Sequence, residues 1–279
     1  MTAHPSSPRA ANARMYAIDD DVAAHWKRLF EWVSERAGVP LHVVDHPPPR
    51  PLHALWRRDD LGCAFMCGYP WSTWDEASAR PRLLAAARPA PERYGKRPLY
   101  CTDIVVRADS PAMDVEALQG SRFAYTADHS QSGYQAPRAY FAPRAARCGG
   151  RFFGAIVGPL QTPRAVVAAV LNDRADAGPL DSWWHDLLRR HEPETAARLR
   201  TVATTPMTAV PPLVTAAAMP GADCERLTAA LEHVGIESTL ADLRGALLID
   251  GFTRATEAPY AALAESARRA DATGYAELQ

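Results

Sequence analysis

Apolar residues along the chain alternate between two rhythms. Short unbroken runs, such as residues 100–107 with Ile104, Val105 and Val106 at their centre, read as strands buried on both faces. Between them lie stretches with apolar residues three and four apart. The clearest is 22–37, where Val22, Trp26, Leu29, Phe30 and Val33 mark one helix face and Gly38 supplies a stop. On this reading strands are predicted at 13–19, 41–45, 61–66, 83–87, 100–107, 122–126, 152–157, 175–179, 202–205 and 213–217. Helices are predicted at 22–37, 52–58, 133–147, 162–171 and 181–190, with a short one closing at Gly120. From Asp223 onward the pattern is mostly helical. Strands alternating with helices predict an α/β fold with parallel sheets covered on both faces. Residues 1–12 are polar and rich in Pro and Ser, which predicts a flexible tail.

Composition narrows the function classes. The chain has 279 residues, 47% of them apolar and 23% charged, enough for a substantial core in one large or two modest domains. The formal net charge of −1 supplies no global field for nucleic acid or an anionic membrane, so neither is an expected partner. An anion site must therefore be local. No run approaches the length of a membrane span, so no membrane insertion is expected. The first residues lack the apolar core of a secretory signal, which leads to an expected cytoplasmic location, or a periplasmic one if a signal peptide lies upstream. Five cysteines, none in a Cys-x-x-Cys pair, read as reduced thiols. His42, His46 and His53 lie on a Pro-rich stretch without helical spacing, so no metal site is expected, and no cofactor fingerprint is present.

The segment 128–137, Asp-His-Ser-Gln-Ser-Gly-Tyr-Gln-Ala-Pro, carries the most chemistry. It follows a predicted strand and opens a predicted helix. The first N–H groups of a helix have no partner inside it, and the helix dipole places partial positive charge there. Ser130 or Ser132 can cap the helix, small hydroxyl residues add donors, and Gly133 permits close backbone approach. Together these make an anion-binding turn, with a plain capped helix as the bland alternative.

Several segments in order strengthen the first reading. Residues 100–107, Leu118-Gln119-Gly120, the Ser130-Gln131-Ser132-Gly133-Tyr134 turn with Pro137, and then Ala175-Asp176-Ala177-Gly178-Pro179-Leu180-Asp181-Ser182 together resemble the phosphate/phosphite/phosphonate-type substrate-binding proteins of ABC transporters. Cys67-Gly68-Tyr69-Pro70 is similar to a segment in a subgroup of that family. The resemblance runs over about residues 60–220 and implies a two-lobe, type 2 periplasmic-binding-protein-like α/β fold with the ligand cleft between lobes. Lobe one would comprise 13–100 plus 205–279, and lobe two 101–204. The implied function is binding of a small anionic ligand of phosphonate, phosphate or carboxylate type, with an ABC permease as partner if the protein is exported. The resemblance carries ligand contacts onto Ser130, Gln131, Ser132, Gly133 and Tyr134, and places Tyr69 on a cleft wall. Asp181 matches a carboxylate that faces the ligand in relatives that bind an amino-phosphonate; an N-cap for the following helix is its alternative. Asp176 is expected to orient backbone at a strand start. The stretch 158–163 lacks the histidine many relatives carry there, leaving Thr162 as the candidate donor. Trp71, Trp74, Trp183 and Trp184 would flank the cleft and wall a ligand with an organic part, or pack at the lobe interface.

The same fold also supports cytosolic enzymes, an analogy at the level of fold alone. A lyase, dehydratase or cofactor-biosynthesis enzyme would draw on His129, beside the helix start, as acid or base, or on Cys67, at a strand end, as nucleophile.

Overall fold

The computed structural model describes residues 7–75 and 77–279. Among these the strands are β1 (Arg9–Asn12), β2 (Leu41–Val43), β3 (Leu61–Phe65), β4 (Arg82–Pro89), β5 (Leu99–Tyr100), β6 (Thr102–Arg107), β7 (Arg122–Ala124), β8 (Ala155–Val157), β9 (Ala177–Asp181), β10 (Leu199–Thr204), β11 (Thr208–Ala209), β12 (Pro212–Thr215) and β13 (Ile249–Arg254). The helices are α1 (Asp20–Ala37), α2 (Leu52–Trp56), α3 (Gly68–Ser72), α4 (Ala136–Arg147), α5 (Pro163–Leu171), α6 (Ser182–His191), α7 (Pro193–Ala197), α8 (Gly221–His233), α9 (Ala241–Leu247) and α10 (Ala258–Ala272). The chain forms two compact units. The first takes the described residues up to Cys67, with Trp74–Pro98 and Val210–Glu257; the second takes Gly68–Thr73, Leu99–Ala209 and Ala258–Gln279.

In the first unit a six-stranded sheet runs β13-β4-β12-β3-β1-β2. Its core forms where α1 lays its apolar stripe down, with Trp26 meeting Phe65 edge-on at 5.0 Å and Tyr16 meeting the same ring at 4.9 Å. Asp19 caps α1 by accepting from the Val22 N–H, and Gly38 ends it in the left-handed conformation, as the sequence pattern predicts.

In the second unit a five-stranded sheet runs β10-β6-β9-β7-β8. Its core is aromatic: Phe123 stacks on Phe153 at 4.3 Å, and Phe141 meets Phe153 edge-on at 4.7 Å. The short strands β5 and β11, just inside the points where the chain enters and leaves this unit, pair with each other.

Four expectations are corrected. The sheets are mixed rather than parallel, because β12 runs antiparallel to both β3 and β4, and β6 antiparallel to both β9 and β10. Of the tail expected at 1–12, residues 1–6 lie outside the described residues, and Arg9–Asn12 is a strand, paired parallel with β2 and β3, with Ala10 and Ala11 buried. The strand predicted at 13–19 is instead a turn. Asn12 forces it, because its side-chain oxygen accepts from the Arg14 N–H while its amide donates to the Val44 carbonyl. Finally, α10 and α3, expected in lobe one, belong to the second unit, where α10 packs on α3, α4 and β11. Gly68 permits that contact: a Cβ there would sit 2.5 Å from Leu263 Cδ1.

Candidate functional site

The segment after β7 is built as the sequence proposes, with one addition. Residues Gln131–Gln135 wind as a π-helical turn that runs straight into α4. The Gln135 N–H reaches back five residues to the Ser130 carbonyl at 3.0 Å. Ser130 is the cap, its hydroxyl oxygen accepting from the Gly133 N–H at 3.0 Å. The N–H groups of Gln131 and Ser132 have no partner among the described residues. Pro137 lies in the first turn of α4, where its missing N–H does no harm.

Gly133 is required by what lies beneath it. A Cβ at this position would meet Thr126 Oγ1 at 1.9 Å and Ser130 Oγ at 2.9 Å. The glycine therefore lets the turn sit down on β7's end, with the Thr126 N–H donating to the Gly133 carbonyl at 3.3 Å. Tyr134 is buried against Tyr125, ring centroids 5.1 Å apart, and its hydroxyl accepts from the Leu278 N–H at 3.2 Å. It is a packing residue of the turn. Burial and the neighbouring Asp128 push the Tyr125 hydroxyl up to about 12.

The other candidates surround this turn. Asp181, at the end of β9, is in register with Thr102 of β6, and the Thr102 hydroxyl donates to the Ser132 carbonyl at 3.0 Å. Asp181 is buried and caps α6, its Oδ1 accepting from the Trp183 and Trp184 N–H groups at 3.0 and 3.1 Å. The loop before α5 is zipped to β7: the Leu160 N–H donates to the Tyr125 carbonyl and the Gln161 N–H to the Thr126 carbonyl. That places Thr162 beside the residue on which Gly133 rests. Its hydroxyl oxygen caps α5 by accepting from the Ala165 N–H at 3.1 Å, and the hydroxyl proton remains available. Tyr69 is half-buried on α3, which packs against the π-helical turn. Thus the residues chosen from sequence gather around one helix start.

Other candidates take different roles. Trp71, Trp183 and Trp184 are buried core residues, Trp71 edge-on to Tyr260 at 5.6 Å. Trp74 is half-buried with the Arg57 guanidinium 5.2 Å from its ring centre. Asp176 orients backbone as expected, accepting from the Arg122 N–H at 2.7 Å and pairing with its guanidinium. His129 is exposed, and Cys67 is buried at 8% exposure. Among the described residues no group of His, Cys, Asp and Glu could hold a metal.

Sequence reasoning missed two buried charges. Arg138, whose side chain is 3% exposed, donates to Gln135 Oε1 at 3.1 and 2.8 Å, to the Tyr275 carbonyl at 2.8 Å and to the Ala267 carbonyl at 3.1 Å, and it pairs with Asp271. It fastens the start of α4 to α10 and the segment after it. Asp103 and His185 form a buried pair at 2.8 Å on β6 and α6. Burial lowers the His185 pKa, and the Asp103 hydrogen bond opposes that shift. Nothing in the local pattern marks either charge as buried, since both arise from long-range packing.

A family model described as ABC transporter, phosphonate, periplasmic substrate-binding protein matches residues 16–260. The chain belongs to this family. Solved structures agree on the two-lobe periplasmic-binding fold. A binding protein component of an ABC phosphonate transporter from Pseudomonas aeruginosa superposes with a TM-score of 0.80 at 15% identity, over 96% of this chain and 88% of that one. PhnD1 from Prochlorococcus marinus, in complex with methylphosphonate, gives 0.75 at 17% identity, over 94% and 98%. MatC from Rhodopseudomonas palustris, with bound malate, gives 0.62 at 11% identity, over 96% and 99%. No curated protein sequence matches. Members of this family are binding proteins, so His129 and Cys67 gain no support as catalytic groups. Within the family frame, among the described residues no helix is long and apolar enough to cross a membrane.

Proposed function

We propose that the protein binds the oxyanion of a small phosphonate or phosphate, with small carboxylates as weaker alternatives, at the turn formed by residues 130–134. The observation that carries this reading is the pair of unengaged N–H groups, on Gln131 and Ser132, at the head of a helix that continues through α4. A helix start of this kind attracts negative charge through both its dipole and its free donors. The Ser132 hydroxyl and the Thr162 hydroxyl proton add donors nearby, Asp181 adds a carboxylate that suits an amino group on the ligand, and Tyr69 contributes a wall. Family membership supports a phosphonate over other oxyanions, and methylphosphonate is the ligand printed for one structural relative. It also supports a periplasmic place of work and delivery of the ligand to an ABC permease.

The test is a thermal-shift series with methylphosphonate, 2-aminoethylphosphonate, phosphate, phosphite and malate. A ligand at a hundredfold its Kd stabilises the folded state by about 2.7 kcal/mol, a readily measured rise in Tm. At least one phosphorus oxyanion is expected to give that rise, and Ser132→Trp is expected to remove it. If no anion stabilises the protein, or the Trp variant keeps the shift, the assignment fails.

A further inference from the structure

Within the second unit, a cavity of about 530 Å³ lies among α4, α10 and the link between β10 and β11. That volume is in the range that holds small organic ligands. Its walls are largely apolar, with Ala139 on α4 and Pro206 on the link, and among the described residues no acidic side chain lines it. Two arginines do. Arg144 lies over the Tyr140 ring at 4.4 Å and also bonds Glu116. Arg269 is exposed and holds Glu265 only at 3.6 Å, a surface contact a ligand can replace at little cost. Gln131 also lines the cavity; it is 3% exposed, and its side-chain oxygen is buried with no hydrogen-bond partner. A buried acceptor left unmet beside a cavity marks a place where a ligand donor is missing.

We propose that this cavity is a second small-molecule site, which takes an amphipathic organic anion: an apolar, aromatic-sized body against α4, a single sulfonate or carboxylate at Arg269, and an N–H or O–H donor for Gln131. The site goes beyond the oxyanion site of the proposed function, and neither needs the other to exist.

8-Anilinonaphthalene-1-sulfonate has all three features and serves as the probe. Titrated into the full chain, it is expected to bind saturably at one site per chain with enhanced fluorescence. Ala139→Trp, which puts an indole into the cavity where the dye's rings would lie, is expected to abolish that binding while retaining the methylphosphonate thermal shift. Arg269→Ala, at an exposed side chain that leaves the fold intact, is expected to weaken it at least threefold. The neutral dye N-phenyl-1-naphthylamine is expected to bind at least threefold more weakly than the sulfonate. Absence of saturable binding, unchanged affinity in Arg269→Ala, or equal binding of the neutral dye overturns the proposal. So does full displacement of the sulfonate by saturating methylphosphonate, which would put the dye in the oxyanion site. Loss of the methylphosphonate shift in wild type alone bears only on the proposed function.

Discussion

Position 133 has no room for a side chain, because Thr126 Oγ1 stands 1.9 Å from where its Cβ would be. Gly133→Ala must push the turn off β7. We expect a loss of about 1–3 kcal/mol, the usual cost of overpacking, measured by urea denaturation. Adding Thr126→Ala removes the hydroxyl from the crowded space and is expected to recover part of the loss. Strict additivity of the two changes would refute this account of the contact.

The Thr102 hydroxyl holds the Ser132 carbonyl from β6, and so ties the turn to that strand. Thr102→Val keeps the shape and deletes the donor. One hydrogen bond contributes about 0.5–1.5 kcal/mol net. If that bond positions the turn, the Kd for methylphosphonate should rise about twofold to tenfold, read by isothermal titration, alongside a loss of about 0.5–1.5 kcal/mol in stability, read from the urea midpoint. An unchanged Kd would show that the turn holds its position without it.

Arg138 and Asp271 are partners of unequal importance. The Arg138 side chain is buried and satisfies two backbone carbonyls and Gln135, whereas the Asp271 side chain is 53% exposed. Arg138→Met strands those carbonyls, at roughly 1–3 kcal/mol for each that finds no water. Asp271→Ala leaves them bonded and is expected to cost less than about 1 kcal/mol, as for an exposed ion pair. Equal losses in the two variants would contradict this division.

His185 adds an acid-sensitive element. Its pKa in the folded protein lies below the ordinary 6.5, because burial disfavours the charged ring, although Asp103 pulls the other way and Arg189 and Asp186 flank the pair. Below pH 6.5 the unfolded chain takes the proton first, so unfolding gains as acid is added. The contribution is therefore complete above 6.5 and fades as pH falls towards the folded value. Urea midpoints measured between pH 8 and 5 are expected to drop on the acid side, with a shallower drop in His185→Gln. Identical slopes would remove His185 from the account.

Much of this arrangement was legible from residues alone, and the reasons are local. The α1 stripe from Val22 to Val33 and its stop at Gly38 are contained within the helix itself. Ser130, Thr162 and Asp181 precede helices with short polar side chains, and each caps one. The gathering of those three caps around one helix start follows the chain order of the family, which the resemblance supplied. What escaped depends on distant partners. β13 hides in an apparently helical stretch because its identity comes from pairing with β4. The mixed strand directions come from where β6 and β12 enter their sheets, and nothing near Asp103 in the chain points to its partner, His185, which α6 brings to it. For Trp183 and Trp184 the residues alone leave both a ligand wall and packing open, and only their burial distinguishes these.

The helix behind the turn counts in two different steps, by fives from Ser130 to Gln135 and by the ordinary 3.6 beyond it. The extra residue in that first loop is a phase offset. Deleting one residue there would let the ordinary spacing run back to the cap and would swing Ser130 and Gln131 by about 100° around the axis, since each helical residue advances by that angle. A helix built this way can have its first turn re-aimed by changing chain length by one residue, with every side chain of the supporting helix left as it was.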